Sequence, residues 1–506
     1  MTSLELLSNR AMGLHQQGDL VQAEQLYRQV LGQDPAHFNA NYLLGVMRAQ
    51  QGQHAEALQL VGAALKADPN AIPALANHGR LLQMMGRFTE ALASFDRLIA
   101  LQPDHGGAHN NRGVTLQSLG RSEDALASFD RALALAPGNA GAWNNRGLLL
   151  QDQRRFEEAL ASFDRALALK PEDAEIWNNR GTALEGLRRV DEALSCFDRA
   201  LSLAPGHARA LFNRGSALCE LGRTAEGFAA FTQYAEAGFR AGDVIRSVVP
   251  HKLQHDREQR DYIAGGAAPA HAPAMDDVFL LADGERLPGP AVNPANDIDA
   301  ISRRWREATP QIVVVDNLLT PQALEKLRHF CWGSSVWRKV YDQGYLGALP
   351  ESGLACPLLA QIADELRQVF PALCGEHALH YLWGFKFDSK LTGVKVHGDK
   401  AAVNVNFWIM PDDANLDPDS GGLIVWDKAA PLDWDFFKYN AEEKKIRDFL
   451  AQSGARPTTI AYRCNRAVIF DSDLFHETDK IDFKDGYTDR RINITLLYGR
   501  RSAENL

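Results

Sequence analysis

The 506-residue sequence predicts a multidomain protein of α and β parts, an all-α repeat array followed by a β-rich domain with flanking helices. Three observations carry that reading. A 34-residue period runs through the first half, hydrophobic spacing changes from helical to extended near residue 311, and a Gly-, Pro- and Ala-rich stretch separates the two. Apolar residues make up 45% and charged residues 23% of the chain, as in ordinary globular protein. No apolar run approaches the ~18 residues of a membrane span, and the start MTSLELLSNR lacks the basic and apolar regions of a signal peptide. The expected compartment is therefore the cytoplasm, with no membrane partner. Cysteines at 196, 219, 331, 356, 374 and 464 form no close pairs, which suits packed, reduced thiols. A net charge of -10 argues against nucleic acid as the main partner.

In the first region, prolines at 35, 69, 103, 137, 171 and 205 are each 34 residues apart. Alanines at 23, 57, 91, 125, 159 and 193 and glycines at 45, 79, 113, 147, 181 and 215 keep the same step. Small residues let paired helices approach, Phe95, Phe129, Phe163, Phe197 and Phe231 are expected to fill the space between units, and each proline ends a second helix. The pattern resembles the tetratricopeptide repeat family over about residues 4 to 237, which implies a solenoid of six to seven helix-turn-helix units in a domain spanning 1–237. Asn77, Asn111, Asn145, Asn179 and Asn213 share the step. In the resembling family this position faces the concave side, and an asparagine amide matches one peptide unit in both donor and acceptor. The ladder, similar to that of O-GlcNAc transferases, thus implies a protein or peptide held by its backbone in the repeat groove. The other reading of these amides is bonding to neighbouring helices or water.

Residues 238–310 read as a capping helix and linker. His251 and His255 are four apart, a spacing that can bind zinc, but no third ligand is near. Lys252, Asp256, Arg257 and Glu258 predict an exposed helix closing the array. Residues 265–298 read as linker or irregular packing segment.

The last region, 311–506, opens with the extended run QIVVVDNLL, and helices are predicted at about 320–331 and 357–369. Later strands are predicted at LHYLWGFKF, GVKVHGD, AVNVNFWIM, GGLIVW, RAVIF and RINITLLYG, which points to a β-sandwich or barrel. Two of the 15 histidines have an acid two positions on, about what chance provides in a chain with 64 acidic residues. Position separates them. His54-Ala-Glu56 lies at a turn and helix start in the repeats and is predicted to be solvated surface. His397-Gly-Asp399 ends a predicted strand, which would put both side chains on one face with Cα atoms roughly 6.6 Å apart at ~3.3 Å per residue. His476, just after another strand, is a third ligand, and two imidazoles with one carboxylate form the facial triad of a non-haem iron(II) oxygenase. Arg491 starts the last strand, with Asn493 and Thr495 on its face, and a guanidinium fork suits the far carboxylate of a dicarboxylate.

The order His-x-Asp, distal His, then Arg resembles the Fe(II)/2-oxoglutarate-dependent dioxygenases, especially their prolyl-hydroxylase-like branch, over about residues 311 to 500. The resemblance implies a double-stranded β-helix, or jelly-roll, with His397, Asp399 and His476 on Fe(II) and Arg491 on the C5 carboxylate of 2-oxoglutarate. Ascorbate is the implied accessory reductant. The arginine follows the distal histidine later than usual, so Arg490 is an alternative. The tyrosine that often assists 2-oxoglutarate has no counterpart. Asn404, Asn406 and Trp408 are candidates for its place, or else Asn404 and Asn406 form a structural polar ladder. Asp399 stands where halogenating relatives carry a small residue, so hydroxylation is the implied reaction. A protein or peptide substrate is expected, because a long groove is wasteful for a small molecule. The rival readings are a small-molecule hydroxylase with repeats used for assembly, and a non-catalytic scaffold. An insert at 428–457 carries a predicted capping box, Asn440 with Glu443, an apolar stripe of Ile446, Phe449 and Leu450, and Gly454 as helix end. It reads as a lid over the iron or, preferably, an external brace.

Overall fold

The computed structural model describes residues 3–240, 242, 249–265, 275–391 and 393–501. It forms two compact units, Met1–Arg189 and Val190–Leu506. The repeat pattern ends near residue 237, whereas the compact units part inside the repeat series.

Among the described residues, fourteen helices run from Ser3–Gln17 to Thr224–Arg240, and within the two units six pairs of consecutive helices pack as antiparallel hairpins. The 34-step glycines and phenylalanines explain one another. A Cβ added at Gly79, Gly113, Gly147 or Gly215 would sit 2.6, 2.5, 2.6 or 2.7 Å from the ring of Phe95, Phe129, Phe163 or Phe231. Each phenylalanine therefore fills a slot left by the glycine of its own hairpin, and not only the space between units. At Gly45 the same slot is filled by Val61, 2.8 Å from such a Cβ. Salt bridges repeat as well: Arg112–Asp96, Arg146–Asp130 and Arg180–Asp164 join successive hairpins at 2.6, 2.7 and 2.7 Å. Another 34-step position has left-handed backbone throughout, with glycine at 18, 52, 86, 120 and 222 but Arg154 (φ 61°) and Arg188 (φ 63°) in the same place.

His54 and Glu56 are not plain solvated surface. His54 is half-buried, and Glu56 accepts from Arg28 at 2.9 Å and lies 3.0 Å from Arg48 Nε, because the turn is covered by the preceding hairpin.

In the second unit, helix Pro250–Ile263 departs from its expected exposure: Lys252, His255, Asp256 and Gln259 are all buried. The reason is a polar contact set. Lys252 Nζ bonds Asp256 at 2.6 Å and Asp276 at 3.0 Å, while Gln259 Nε2 donates to Ser334 O at 2.8 Å. His251 and His255 belong to no group of three metal-ligating side chains among the described residues. Of the predicted linker, residues 266–274 lie outside the described residues. From Met275 to Ile298 it contains a single 3₁₀ turn, and Leu287, Ala291 and Val292 are buried in the core.

Twelve strands follow among the described residues: β1 (Ile312–Val315), β2 (Lys339–Tyr341), β3 (Tyr345–Ala348), β4 (Leu379–Phe387), β5 (Lys390–Leu391), β6 (Val403–Trp408), β7 (Leu423–Ala429), β8 (Pro457–Ile460), β9 (Ala467–Asp471), β10 (Leu474–Thr478), β11 (Ile481–Asp482) and β12 (Ile492–Tyr498). They form a seven-stranded sheet in the order β1-β9-β6-β12-β4-β3-β2, a three-stranded sheet β10-β7-β8 and a pair β11-β5, all antiparallel. Among the described residues these sheets do not close into a hydrogen-bonded barrel. Leu423, Val425 and Ile460 of the small sheet belong to the same buried core as Trp408, Val468 and Phe470 of the large one. Helices Pro321–Gly333 and Pro357–Val369 flank the large sheet, the second held where Tyr498 Oη donates to Ala363 O at 3.0 Å. The last repeat helices join the same body, with Thr224 Oγ1 2.5 Å from Asp364.

The predicted strand GVKVHGD does not form. Its ladder is reduced to one bridge, His397 with His476, because Gly393 is left-handed (φ 75°) and the chain leaves the sheet again at Gly398. The six cysteines are free thiols, and five are buried.

Candidate metal centre

Three side chains from two sequentially distant segments meet at one end of the sandwich. His476 lies within β10, and His397 and Asp399 lie on the loop bridged to it. The bridge is reciprocal: His397 N–H donates to His476 O at 3.0 Å and His476 N–H to His397 O at 2.9 Å. This backbone pairing brings the ring centroids to 4.4 Å. One ligand atom from each of His397, Asp399 and His476 falls within 4.8 Å of the others. His476 Nε2 is 3.2 Å from Asp399 Oδ2, and His397 Nε2 is 3.7 Å from Oδ1.

Both imidazoles are oriented by carbonyls. His397 Nδ1 lies 2.7 Å from Lys395 O, and His476 Nδ1 lies 3.1 Å from Leu474 O. A carbonyl only accepts, so each Nδ1 carries a hydrogen and each Nε2 is turned towards Asp399. Burial, reinforced by the neighbouring His476, pushes His397 down to about 4, which keeps it neutral and ligand-ready at neutral pH. For Asp399 burial works the other way, but the His476 and His397 rings and the Asn404 amide outweigh it and hold the carboxyl below its ordinary value. Asn404 Nδ2 donates to Asp399 Oδ2 at 2.7 Å.

Behind this triad the interior of the large sheet is polar. Thr495 of β12 pairs with Asn406 of β6, and Asn493 pairs with Trp408, so the alternation that puts Arg491, Asn493 and Thr495 on one face sets them beside Asn404, Asn406 and Trp408. Asn406 Nδ2 donates to Thr495 Oγ1 at 3.0 Å, Asn493 Nδ2 lies 3.4 Å from the same oxygen, and Arg491 donates to Asn493 Oδ1 at 3.1 Å. Arg491 is 1% exposed. Its Nε donates to Gly421 O at 2.6 Å and one terminal nitrogen to Gly422 O at 3.2 Å. The guanidinium lies 4.8 Å from the Phe387 ring centroid and 5.7 Å from that of Trp408. Burial brings it down to about 9. Among the described residues no carboxylate ion-pairs with it, and two of its five N–H groups remain for a ligand. Trp408 Nε1 and the Asn404 and Asn406 side-chain oxygens are likewise buried without a protein partner. Arg490, one residue earlier, points to the other face, where it pairs with Glu258 at 2.9 Å.

A cavity of about 520 Å³ reaches the triad, with His397 and Asp399 in its wall. Its other walls come from Tyr341, Tyr345, Tyr381, Trp383 and Phe385, together with Phe436 and Asn440 of the insert. Sequence reasoning passed over these aromatics. The signal was the alternation Tyr381, Trp383, Phe385, Phe387 along one face of β4.

The asparagine ladder is placed between hairpins. Asn145 Nδ2 donates to Asn110 Oδ1 at 3.1 Å, Asn179 Nδ2 to Asn144 Oδ1 at 3.0 Å and Asn77 Nδ2 to the Tyr42 hydroxyl at 2.9 Å. Asn111 accepts from Asn110 at 3.3 Å. Asn179 is 4% exposed, so it offers little to a groove, whereas Asn77, Asn111, Asn145 and Asn213 are half-buried.

Comparison with known proteins identifies the helical region. The tetratricopeptide repeat family model matches residues 9–72, 77–140, 144–206 and 180–241. The array is thus built of tetratricopeptide repeats, and none of these matches extends into the β-rich region. Among solved structures, a tetratricopeptide repeat protein from Parabacteroides merdae is 22% identical, with 47% of this chain and 93% of that chain covered and a TM-score of 0.40. A thermophilic repeat protein of Thermus thermophilus is 28% identical (35% and 97% covered, TM-score 0.31). YrrB, described as a repeat protein with an unusual peptide-binding site, is 21% identical (37% and 95% covered, TM-score 0.32). Comparison with curated proteins found no match. No described helix is long and apolar enough to cross a membrane.

Proposed function

We propose that the chain is an Fe(II)/2-oxoglutarate-dependent hydroxylase whose target is a protein or peptide side chain recruited by the repeats. One observation carries the reading: a His397/Asp399/His476 triad with both Nε2 atoms turned towards Asp399 shares a sandwich interior with Arg491, which is buried and has no carboxylate partner among the described residues. The small sheet, extended beyond β10 by the His397–His476 bridge and tied to the large sheet where Arg491 bonds Gly421 and Gly422, supports a jelly-roll assignment.

The donor set fits a ferrous ion, since two imidazoles and a carboxylate on one side leave the remaining positions open. The interior fits 2-oxoglutarate, because a dicarboxylate supplies the anion that Arg491 lacks and an acceptor for the Trp408 N–H. When bound, the ion and cosubstrate supply the oxidising power, and an oxygen atom from O2 enters an unactivated C–H bond. The protein's part is positional. Asn404 fixes the Asp399 carboxylate, the Lys395 and Leu474 carbonyls fix the imidazoles, and the aromatic wall of β3 and β4 excludes water from the target side chain. Arg491, anchored through three N–H bonds, is pre-organised for the distal carboxylate, while Arg490 is already committed to Glu258.

The repeats support the protein-substrate half. Asn77, Asn145 and Asn179 spend donors on the preceding hairpin, so partner recognition falls to the exposed side chains between the ladder positions as well as to the asparagines.

The test is conversion of 2-oxoglutarate to succinate by purified protein with Fe(II) and ascorbate, compared with an Arg491→Met variant. Turnover lost in the variant at sub-saturating 2-oxoglutarate supports the reading; absence of turnover in both would sink it and leave a repeat scaffold. Pull-down with the full chain, followed by mass spectrometry for gain of one oxygen, separates protein from small-molecule substrates.

A further inference from the structure

The insert after β7 touches the metal loop in a way that its sequence conceals. Asn440 was expected to cap the helix that follows, yet helix Glu443–Gln452 has Glu442 at its N-cap and no side-chain cap bond. The Asn440 amide is used elsewhere: Nδ2 donates to Gly398 O at 3.0 Å. Gly398 N–H in turn donates to Tyr439 O at 2.8 Å. Both polar groups of the residue between His397 and Asp399 are therefore held by two consecutive residues of the insert.

Those residues are themselves fastened to the third ligand's strand. Arg501, 3% exposed, reaches Asp473 at 2.6 Å, three residues before His476. The same guanidinium donates to the carbonyls of Ala430 and Pro431 and lies 4.3 Å from the Tyr439 ring centroid. Ala430 N–H closes the loop by donating to Asp473 O at 2.7 Å. On its far side the insert packs Tyr439, Ile446 and Leu450 against Val396 and Phe475, the residues preceding His397 and His476. The segment is thus a brace by its apolar side and a cavity wall by Phe436 and Asn440.

We propose that Asn440 is a positioning residue for the metal, fixing the backbone between His397 and Asp399 so that their ligand atoms keep their spacing, with Arg501 as the anchor that holds Asn440 in place. This rests on the reading of His397, Asp399 and His476 as metal ligands. Backbone carbonyls and amides around a ligand pair set ligand angles, and loss of such outer contacts weakens metal binding by roughly 10- to 100-fold.

The experiment is Co(II) titration of the metal-free full chain, read by visible absorption and calorimetry, with no turnover required. Asn440→Ala and the volume-matched Asn440→Leu should each weaken Co(II) binding by about tenfold or more and alter the visible bands, while metal-free melting stays near wild type. Arg501→Lys, which keeps the charge but loses the fork, should show a smaller shift in the same direction. Wild-type affinity and bands in either folded Asn440 variant would overturn the inference while leaving the triad intact. Failure of wild type to bind Co(II) would overturn both.

Discussion

The repeats and the β-sandwich solve the packing problem in opposite ways. In the helical array, one contact is made many times: a phenylalanine fills the slot over a glycine sixteen residues earlier, as Phe129 does over Gly113 and Phe163 over Gly147. In the sandwich, each important contact is made once and joins distant segments, as when His397 pairs with His476 or Asn406 with Thr495. Redundancy gives the array stability that adds along the chain, whereas the sandwich concentrates unsatisfied polar groups at one site. A site held ready for a ligand costs stability, so the two regions should respond differently to substitution.

The largest expected effect is at the triad. His397→Ala should abolish succinate formation, by at least about 1,000-fold, while the metal-free protein melts no lower than wild type, because a partly exposed, unliganded imidazole on a loop contributes little to packing. Melting lowered by many degrees would make the histidine structural. Next, Arg491→Met should raise the 2-oxoglutarate KM by about 100-fold with a smaller change in kcat, since it removes an interaction present before and during reaction. An unchanged KM would detach Arg491 from the cosubstrate.

Metal-free protein should also lose stability in acid in a specific window. His397 has an ordinary value of 6.5 and is held near 4 when folded. The unfolded chain therefore takes up the proton first, and stability present above pH 6.5 declines as pH falls towards 4, by at most about 3 kcal/mol. Urea unfolding of wild type and His397→Gln across that range should show the difference; parallel curves would remove His397 as the cause.

In the array, Gly113→Ala sets helix propensity, which favours alanine by about 1 kcal/mol, against overpacking with the Phe129 ring, which costs about 1–3 kcal/mol. Net destabilisation of about 1 kcal/mol is expected in urea unfolding, and net stabilisation would show that the slot has room. The smallest effect is a gain: Arg154→Gly relieves a left-handed residue where five other hairpins use glycine, and should raise stability by about 1 kcal/mol.

Parts of this were legible in the chain itself. Strand β4 lies where LHYLWGFKF predicts it, and helix Pro357–Val369 starts at its predicted proline. Other parts were not. The helix Pro250–Ile263 looked exposed because Lys252, Asp256, Arg257 and Glu258 are charged, but charge does not distinguish a solvated face from one whose charges pair internally. The short hairpin β2–β3 carried too few residues for a period, and its tyrosines line the cavity. Asn440 followed by Glu443 has the spacing of a capping box, yet a nearby carbonyl at Gly398 competes for the same amide.

The sequence by itself determined the 34-residue register, the alternation that puts Arg491, Asn493 and Thr495 on one face, and the chemistry offered by His397, Asp399 and His476. These follow from local geometry, a helix turn or a pleat, which recurs at fixed spacing. Only the tertiary structure decided that His397, Asp399 and His476 come together, that Arg490 is taken by Glu258 while Arg491 has no carboxylate partner among the described residues, and that Asn440 bonds the loop between His397 and Asp399. Each of those depends on where two remote segments meet, and that is set by the packing of the whole core rather than by any spacing along the chain.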